Sequence, residues 1–273
     1  MQGAAVLVSD EYPLPARRYL SGCRETGISV AEGIPLKPVF VVASTLLEIA
    51  LLVRFIGARR VNAGVHEVYE GRIGEREVIL AVTGLGKVNA ASAITALLEH
   101  ATPHLLINTG CAGAYSGRGL AMGGLAVATV DIFADEGVLT PQGWRPLDVI
   151  GIPLLERNGK AFFNEFPLSL QAAEKAVQLA AILGLSITRG KFLTVSTCSG
   201  TFARGAELAR QFGGICENME GAAAAQVALR YGVDCLEIRG ISNMVEDRDL
   251  SRWNIPLAVE NAQRFVLKFI EAL

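Results

Sequence analysis

The sequence is poor in cysteine, in histidine and in excess charge, and each shortage argues against a class of protein. Its five cysteines, Cys23, Cys111, Cys198, Cys216 and Cys235, are scattered and form no Cys-x-x-Cys pair. That pattern argues against a disulfide framework and against a zinc site. The three histidines do not cluster either, and the net charge is only −2, so no basic face for nucleic acid is indicated.

Long apolar runs are also missing. No stretch reaches the roughly 18–20 apolar residues that span a bilayer, and Met1–Asp10 lacks the basic and apolar regions of a signal peptide. We therefore expect a cytoplasmic protein with no membrane partner, no nucleic-acid partner, no metal and no cofactor. Its expected partner is a small molecule.

What the chain does have is material for a large core. Hydrophobic residues make up 51% of its 273 residues and charged residues 19%, which suits one sizeable α/β domain. Residues 1–37 differ from the rest, because they contain Pro13, Pro15 and Pro35 and show no clear period. We expect residues 1–37 to form a poorly ordered N-terminal extension and residues 38–273 to form the domain.

From Val39 onward, apolar strands alternate with helical patterns, which predicts a sheet covered on both faces. The expected fold is α/β, a three-layer αβα single domain with a central mixed sheet. Predicted strands are Val39–Ala43, Val65–Gly71, Arg76–Gly84, His104–Thr109, Gly124–Phe133, Lys191–Thr197 and Cys235–Ser242. Predicted helices are Thr45–Gly57, Lys87–His100, Leu168–Leu183, Ala203–Phe212, Glu220–Tyr231 and Ile255–Leu273.

Unusual residues follow several of these strands, and ligands of α/β sheets bind at the carboxyl ends of strands. Glu48 lies one turn into an apolar helix, where it either complements the helix dipole or acts in catalysis. The stretch Thr83–Ala90 is a glycine-rich turn that opens a helix, a feature of anion sites and of close packing alike. The stretch Asn108–Tyr115 ends a strand in small residues and leaves room for a flat ring, although a tight turn explains it equally well.

Two further segments carry polar groups. Glu220 precedes an alanine-rich helix start, and its ionised carboxylate offers acceptors for both hydroxyls of a ribose. Asn243 ends the most apolar strand of the chain. A buried amide there needs partners, since leaving it unpaired costs about 1–3 kcal/mol, and a ligand is one such partner.

These segments, in this order, resemble the nucleosidase branch of the purine nucleoside phosphorylase superfamily, which includes the methylthioadenosine/S-adenosylhomocysteine nucleosidases. Glu48 matches the family's water-activating glutamate, and Gly84–Lys87 its Gly-Ile-Gly-Lys turn. Asn108–Gly113 matches Asn-Thr-Gly-Ser-Ala-Gly, with Cys111 in place of serine. Met219 and Glu220 match the family's ribose-binding Met-Glu pair, and Ser242 and Asn243 match its Ser-Asp pair.

Asn243 departs from that family pattern. The resemblance implies that an aspartic acid here protonates ring nitrogen 7 of adenine, which an amide cannot do. An amide NH₂ instead suits nitrogen 7 and the 6-oxo group of hypoxanthine. Segments 217–222, 242–249 and 134–138 are similar to the branch of the superfamily that hydrolyses futalosine, a hypoxanthine nucleoside with a carboxyphenyl chain. That similarity implies release of hypoxanthine in menaquinone biosynthesis.

The resemblance also implies roles for individual residues. Glu48 would activate water, Glu220 and Met219 would hold the ribose, Asn243 would stabilise the departing base, and Phe202 would stack on the purine. Other predicted substrate contacts are Thr45, Cys111, Ala112, Gly113 and Ser242. For the distal carboxylate of the substrate, the predicted partner is one of Arg118, Arg145 and Arg204.

The sequence leaves three competing functions open. A phosphorylase would need a cation after the first strand, where Glu48 would instead repel phosphate. The second competing function is that of a purine nucleosidase of the methylthioadenosine type, and the third is that of a catalytically silent nucleoside-binding module. The resemblance further implies a homodimer or larger homo-oligomer.

Overall fold

A computed structural model describes residues 36–64 and 66–273. The predicted N-terminal extension falls almost entirely outside these residues. The described residues form fourteen strands: β1 Val39–Ala43, β2 Arg59–Ala63, β3 His66–Ile73, β4 Arg76–Val82, β5 Leu105–Ala114, β6 Leu125–Phe133, β7 Val138–Thr140, β8 Gly143–Arg145, β9 Leu155–Arg157, β10 Lys160–Phe162, β11 Glu165–Pro167, β12 Ile187–Thr194, β13 Gly214–Asn218 and β14 Cys235–Met244.

Six α-helices accompany these strands in the described ranges: α1 Ala50–Phe55, α2 Lys87–His100, α3 Leu170–Ile182, α4 Phe202–Phe212, α5 Gly221–Tyr231 and α6 Ile255–Glu271. Short 3₁₀ turns lie at Leu46–Glu48, Leu147–Ile150 and Leu250–Arg252. Of the helices in these ranges, not one combines the length and the apolarity that crossing a bilayer requires.

Ten strands form one mixed sheet in the order β11-β6-β12-β13-β5-β1-β4-β3-β2, with β14 paired to both β5 and β6. The strands β6, β12, β13, β5 and β14 therefore form a closed ring of pairings. β14 runs parallel to β5 and antiparallel to β6. Because β5, β13 and β14 are neighbours, the polar groups near their ends lie on adjacent strands.

Both faces of the sheet are covered, as the apolar run of β1 predicts. Side chains alternate along a strand, so Phe40 and Val42 join the apolar cluster that contains residues of α2 and α5. Val39 and Val41 face the opposite way and join the cluster with α3 and α6. The predicted α/β fold with a central mixed sheet is confirmed.

The segment after β1 differs from prediction. A single helix over Thr45–Gly57 is wrong, because Ile49, with φ −127° and ψ −3°, separates a 3₁₀ turn from α1. The side chain of Glu48 folds back onto the backbone N–H of Thr45 and thereby closes that turn. Glu48 is consequently held close to the end of β1.

The strand expected to end at Thr109 continues to Ala114, so Gly110 and Gly113 lie inside β5 and not in a turn. β13 was not predicted at all. It lies between α4 and α5, and it carries Glu217 and Asn218. β14 extends past Ser242 to Met244, and its register with β5 skips Ser242, because Ile241 pairs with Ala112 and Asn243 with Gly113. This β-bulge inserts one residue at the site end of the strand.

Candidate active site

A cleft of about 130 Å³ lies where β5, β13 and β14 end. Eight of the ten predicted site residues line it: Glu48, Cys111, Ala112, Gly113, Met219, Glu220, Ser242 and Asn243. Further lining residues are Ser44, Leu85, Cys198, Ser199, Glu217, Asn218, Arg239 and Trp253. Segments that are distant in sequence therefore meet at one edge of the sheet, as expected for an α/β fold.

Two predicted residues lie outside this lining. Thr45 points its hydroxyl at Glu48 and donates to Oε2 at 2.9 Å, so it supports the carboxylate. Phe202 begins α4 with a side chain that is 53% exposed, and it does not line the cleft. Its role as a stacking face for the purine stays a prediction that the cleft geometry does not favour.

Glu48 is buried and is held through both carboxylate oxygens. Oε2 accepts from Ser44 Oγ at 2.6 Å and from Thr45 N at 3.0 Å. Oε1 accepts from Cys111 N at 3.0 Å, which ties Glu48 to β5. Three donors on Oε2 and one on Oε1 fix the carboxylate and leave Oε1 with acceptor capacity toward the cleft.

Gly110 allows this approach. Its φ of +151° is a conformation that residues with side chains rarely adopt, and a Cβ here would overlap Glu48 Oε1 and Arg239 Nη1. The glycine is therefore required by the close passage of two charged groups over β5. This is a specific reason for one of the glycines in the Asn108–Gly113 segment.

Replacing Gly110 by alanine is expected to lower both stability and turnover. Overpacking costs about 1–3 kcal/mol, backbone strain adds about 1–3 kcal/mol, and Glu48 is displaced. Gly117→Ala is the control, because Gly117 has φ +73° and open space around its Cβ position. The measurements are the free energy of unfolding and turnover. If the two variants lose turnover equally, the crowding at Gly110 has no functional weight.

Glu220 occupies the N-cap position of α5. Its Oε1 accepts from Gly86 N at 2.9 Å, and its Oε2 lies 3.7 Å from Arg239 Nη2. Burial raises the pKa of Glu220, while Arg239 and the Gly86 N–H act in the opposite direction. The glycine-rich turn before α2 thus binds a carboxylate of the protein itself.

Arg239 pairs with Glu220 and also lies near Glu48, since both would meet a Cβ on Gly110. It is 1% exposed, and its Nε donates to Glu237 Oε1 at 2.8 Å. Burial alone would lower the pKa of Arg239, but the carboxylates of Glu237, Glu220 and Glu48 outweigh that effect and raise it. Arg239 is therefore a permanent cation between the two sides of the cleft.

Behind Arg239 lies a buried carboxyl pair, Asp131 and Glu237. The two groups approach each other beside Gly221, where any side chain would overlap both. Burial and the neighbouring Glu237 carboxylate raise the pKa of Asp131 well above its usual range, which favours the protonated carboxyl. A protonated Asp131 supplies the donor that Glu237 Oε2 otherwise lacks within the described residues. With Asp131 protonated, the one charge left on this carboxyl pair is that of Glu237, which pairs with the Arg239 guanidinium.

Asn243 lies beside Gly113 of β5, and neighbours fix its amide. Ser242 Oγ donates to Asn243 Oδ1 at 2.8 Å, and Asn243 Nδ2 donates to the Met244 carbonyl oxygen at 3.0 Å. The amide therefore does bond nearby backbone. One of its two N–H groups remains for a ligand.

Glu217, to which the sequence pattern assigned no role, fixes another part of the cleft lining. Glu217 accepts from Ser199 N at 2.8 Å, from Ser199 Oγ at 2.6 Å and from Tyr115 OH at 2.9 Å. Burial and the Glu217 carboxylate raise the pKa of Tyr115, so its hydroxyl stays a donor. These bonds anchor the loop that carries Cys198 and Ser199.

Cysteine is not a candidate nucleophile in this cleft. Burial, with a smaller contribution from Glu48, raises the pKa of the Cys111 thiol to about 11. The thiol therefore stays protonated near neutral pH. In residues 36–64 and 66–273, no group of three or more His, Cys, Asp and Glu side chains is arranged to hold a metal ion.

The three arginines predicted to meet a distal carboxylate do not line the cleft. Arg118 Nη2 donates to the Ala209 carbonyl oxygen at 2.7 Å. Arg204 pairs with Glu207 at 2.8 Å on the exposed side of α4, and Arg145 lies on β8. The prediction for this group of arginines is not supported by their positions.

A larger cavity of about 620 Å³ lies elsewhere, among Trp144, Phe162 and Phe212. The charged residues that line it, Asp148, Lys160 and Glu165, are all exposed, so its lining lacks the buried carboxylates of the smaller cleft. Size alone does not make it the site. The mixed sheet and the smaller cleft together define an α/β protein of the nucleoside phosphorylase/hydrolase fold.

Comparison with known proteins agrees with this class. A family model described as the Phosphorylase superfamily matches residues 38–271, and the chain belongs to that superfamily. The futalosine hydrolase of Thermus thermophilus is 36% identical over 188 residues, which are 69% of this chain and 79% of that protein. The 5'-methylthioadenosine/S-adenosylhomocysteine nucleosidase of Geobacillus kaustophilus is 34% identical over 179 residues, 65% of this chain and 72% of that protein.

Among solved structures, the 5'-methylthioadenosine/S-adenosylhomocysteine nucleosidase of Neisseria meningitidis, in complex with methylthio-immucillin-A, superposes with a TM-score of 0.75 at 24% identity. The match covers 87% of this chain and 100% of the Neisseria chain. The predicted resemblance and fold are therefore confirmed.

Proposed function

We propose that this protein hydrolyses the N-glycosidic bond of futalosine, releasing hypoxanthine in a step of menaquinone biosynthesis. The observation that carries the proposal is a cleft with a fixed carboxylate, Glu48, beside Gly110 of β5 and an amide, Asn243, beside Gly113 of the same strand. The similarity to the Thermus futalosine hydrolase supports the choice of substrate. The coarser statement, that the chain is an enzyme hydrolysing N-glycosyl bonds, rests on both groups of curated relatives.

The proposed reaction begins with water beside Glu48. Oε1 takes a proton from this water as it attacks the anomeric carbon, in an oxocarbenium-like transition state typical of glycosyl cleavage. Glu220 accepts hydrogen bonds from the ribose hydroxyls, with Met219 against the sugar. The remaining N–H of Asn243 donates to the departing base, where negative charge develops.

Charge in the cleft argues against phosphorolysis. Glu48, Glu217 and Glu220 line it, and Arg239, the cation among its lining residues, is already bonded to Glu237 and close to Glu220. A phosphate ion would meet carboxylates at short range, which is unfavourable in a partly buried site. Cleavage that proceeds at full rate without phosphate would agree with hydrolysis, and an absolute requirement for phosphate would contradict it.

The methylthioadenosine type of nucleosidase is the second candidate, because the Geobacillus enzyme is 34% identical to this chain. The two functions differ in the base that is released. Incubation with futalosine, inosine and methylthioadenosine, followed by chromatography of the free base, separates them. We expect hypoxanthine from futalosine at the highest rate and little adenine. The homodimer or larger assembly stays a prediction.

Removing the Glu220 carboxylate tests the ribose assignment. Glu220→Ala is expected to weaken binding and turnover, because the diol loses its acceptor and Arg239 loses a neighbouring charge. A 2′-deoxy substrate should then lose little further activity, since its missing hydroxyl has no partner to lose. Rates with the ribo and deoxy substrates in wild type and variant complete the double-mutant cycle. Equal sensitivity of both proteins to the missing hydroxyl would remove the assignment.

A further inference from the structure

The rim of the cleft carries an aromatic side chain with an arginine on it. Trp253 lines the cleft, and the next residue, Asn254, donates its N–H to the Ser242 carbonyl oxygen at 2.8 Å. The guanidinium carbon of Arg248 lies 4.9 Å from the centroid of the Trp253 ring. A cation in that position is attracted by the ring face, so Arg248 is held at the entrance to the site.

The acidic residues around Arg248 in the chain have other partners. Glu246 pairs with Arg252 at 2.8 Å, and Asp247 accepts from the backbone N–H of Phe202 at 3.1 Å. Asp249 accepts from Ser251 N at 3.0 Å and from Ser251 Oγ at 2.7 Å. Within residues 36–64 and 66–273, Arg248 has no carboxylate within ion-pair distance.

Backbone contacts fix the position of this arginine. The N–H of Arg248 donates to the Gly200 carbonyl oxygen at 3.2 Å, so its loop is joined to the loop of Cys198 and Ser199 that forms another wall of the cleft. The backbone of Arg248 is thus bonded to the loop that forms one wall of the cleft, and its guanidinium packs on Trp253, which forms another.

Electrostatics restrict where an anionic part of a substrate could lie. The interior of the cleft holds three carboxylates, and Arg239 is paired with one of them, Glu220, and with Glu237. A further negative charge in the interior would be repelled. At the rim, by contrast, Arg248 offers a planar pair of donors that matches a carboxylate.

We infer that Arg248, supported by Trp253, forms a subsite for a carboxylate at the far end of the substrate's sugar substituent. The inference rests on the proposed function, because futalosine carries a benzoate-type group there while inosine does not. The arginines that the sequence suggested do not line the cleft, whereas Arg248 packs on Trp253, which does. Arg248 would then select anionic nucleosides over neutral ones with the same base.

Arg248→Gln tests this with substrates that carry or lack the distal negative charge. The purified protein is assayed with futalosine, with the methyl ester of futalosine and with inosine. We expect kcat/KM for futalosine to fall about 10–100-fold, the scale of a lost charge-assisted hydrogen bond, mainly through KM. The ester and inosine should change less than about twofold, and Arg248→Lys should retain part of the preference.

Arg204→Gln is the matched control, because Arg204 is also an exposed arginine near the site but is paired with Glu207. It should leave all three substrates unaffected. Equal losses on all three substrates in Arg248→Gln, or no loss on futalosine, would overturn the subsite while the proposed function stands. A wild-type protein that cleaves methylthioadenosine and leaves futalosine intact would overturn the proposed function, and the subsite with it.

Discussion

Glu48→Gln is expected to lower turnover about 10²–10⁴-fold, the usual effect of losing a general base. The amide has nearly the same shape but cannot take a proton from water. The surrounding donors make the substitution still less favourable. Ser44 and Thr45 donate to Oε2 and Cys111 N donates to Oε1, so an amide NH₂ must face a donor in either orientation.

Binding and folding are measured alongside turnover. The free energy of unfolding should fall by about 1–3 kcal/mol, the cost of one mismatched buried donor, which leaves the protein folded. Affinity for hypoxanthine should change little, because the substitution leaves Asn243 and its partners unchanged. Turnover close to that of the wild type in a folded variant would show that another group activates water.

The second large effect is expected for Asn243→Asp, which should reverse part of the preference for hypoxanthine over adenine. A carboxylate facing the 6-oxo group is acceptor against acceptor, and sites built on hydrogen bonds can discriminate by about 10⁴-fold. The new oxygen would also face the Met244 carbonyl, the present partner of Nδ2. That contact costs stability, while a carboxylate can accept from the 6-amino group of adenine, which the amide NH₂ cannot do.

The ratio of kcat/KM for futalosine to kcat/KM for methylthioadenosine reports this effect. It should drop in Asn243→Asp, with the rate on futalosine itself reduced. Cys111→Ser is the control, since it changes a neighbouring cleft residue to the serine of the related family pattern and should leave the ratio unaltered. If Asn243→Asp instead lowers stability and both activities in parallel, the amide serves only to bond the Met244 and Ser242 groups.

Local signals predicted much of the fold. α2 was predicted with its observed bounds, Lys87–His100, because its alanine-rich pattern and preceding glycines act within a few residues. β13 was missed, because five residues between two helices give no period of their own. Its strand character comes from pairing with β5 and β12, which is a tertiary effect.

The sequence predicted cleft-lining residues where a single polar residue stands beside an apolar segment, as Glu48, Glu220 and Asn243 do. The ion cluster behind them was not assigned, because Asp131 is 106 positions from Glu237 by residue number. The sequence nevertheless contained a partial indication of this ion cluster. Glu237 and Arg239 stand two residues apart in a strand that is otherwise apolar, so they share one face of it, and buried charges in a strand demand partners.

Because β14 contains an extra residue before Asn243, the proposed choice of base could be altered in two ways. A substitution at position 243 changes the chemistry of one contact. Loss of Ser242 would instead restore the regular register of β14 against β5 and remove the hydroxyl that donates to Asn243 Oδ1. The pairing of Cys235–Ile241 with β5 would stay in place. Under the proposed function, recognition of the base depends on the spacing of the chain as well as on its residue types.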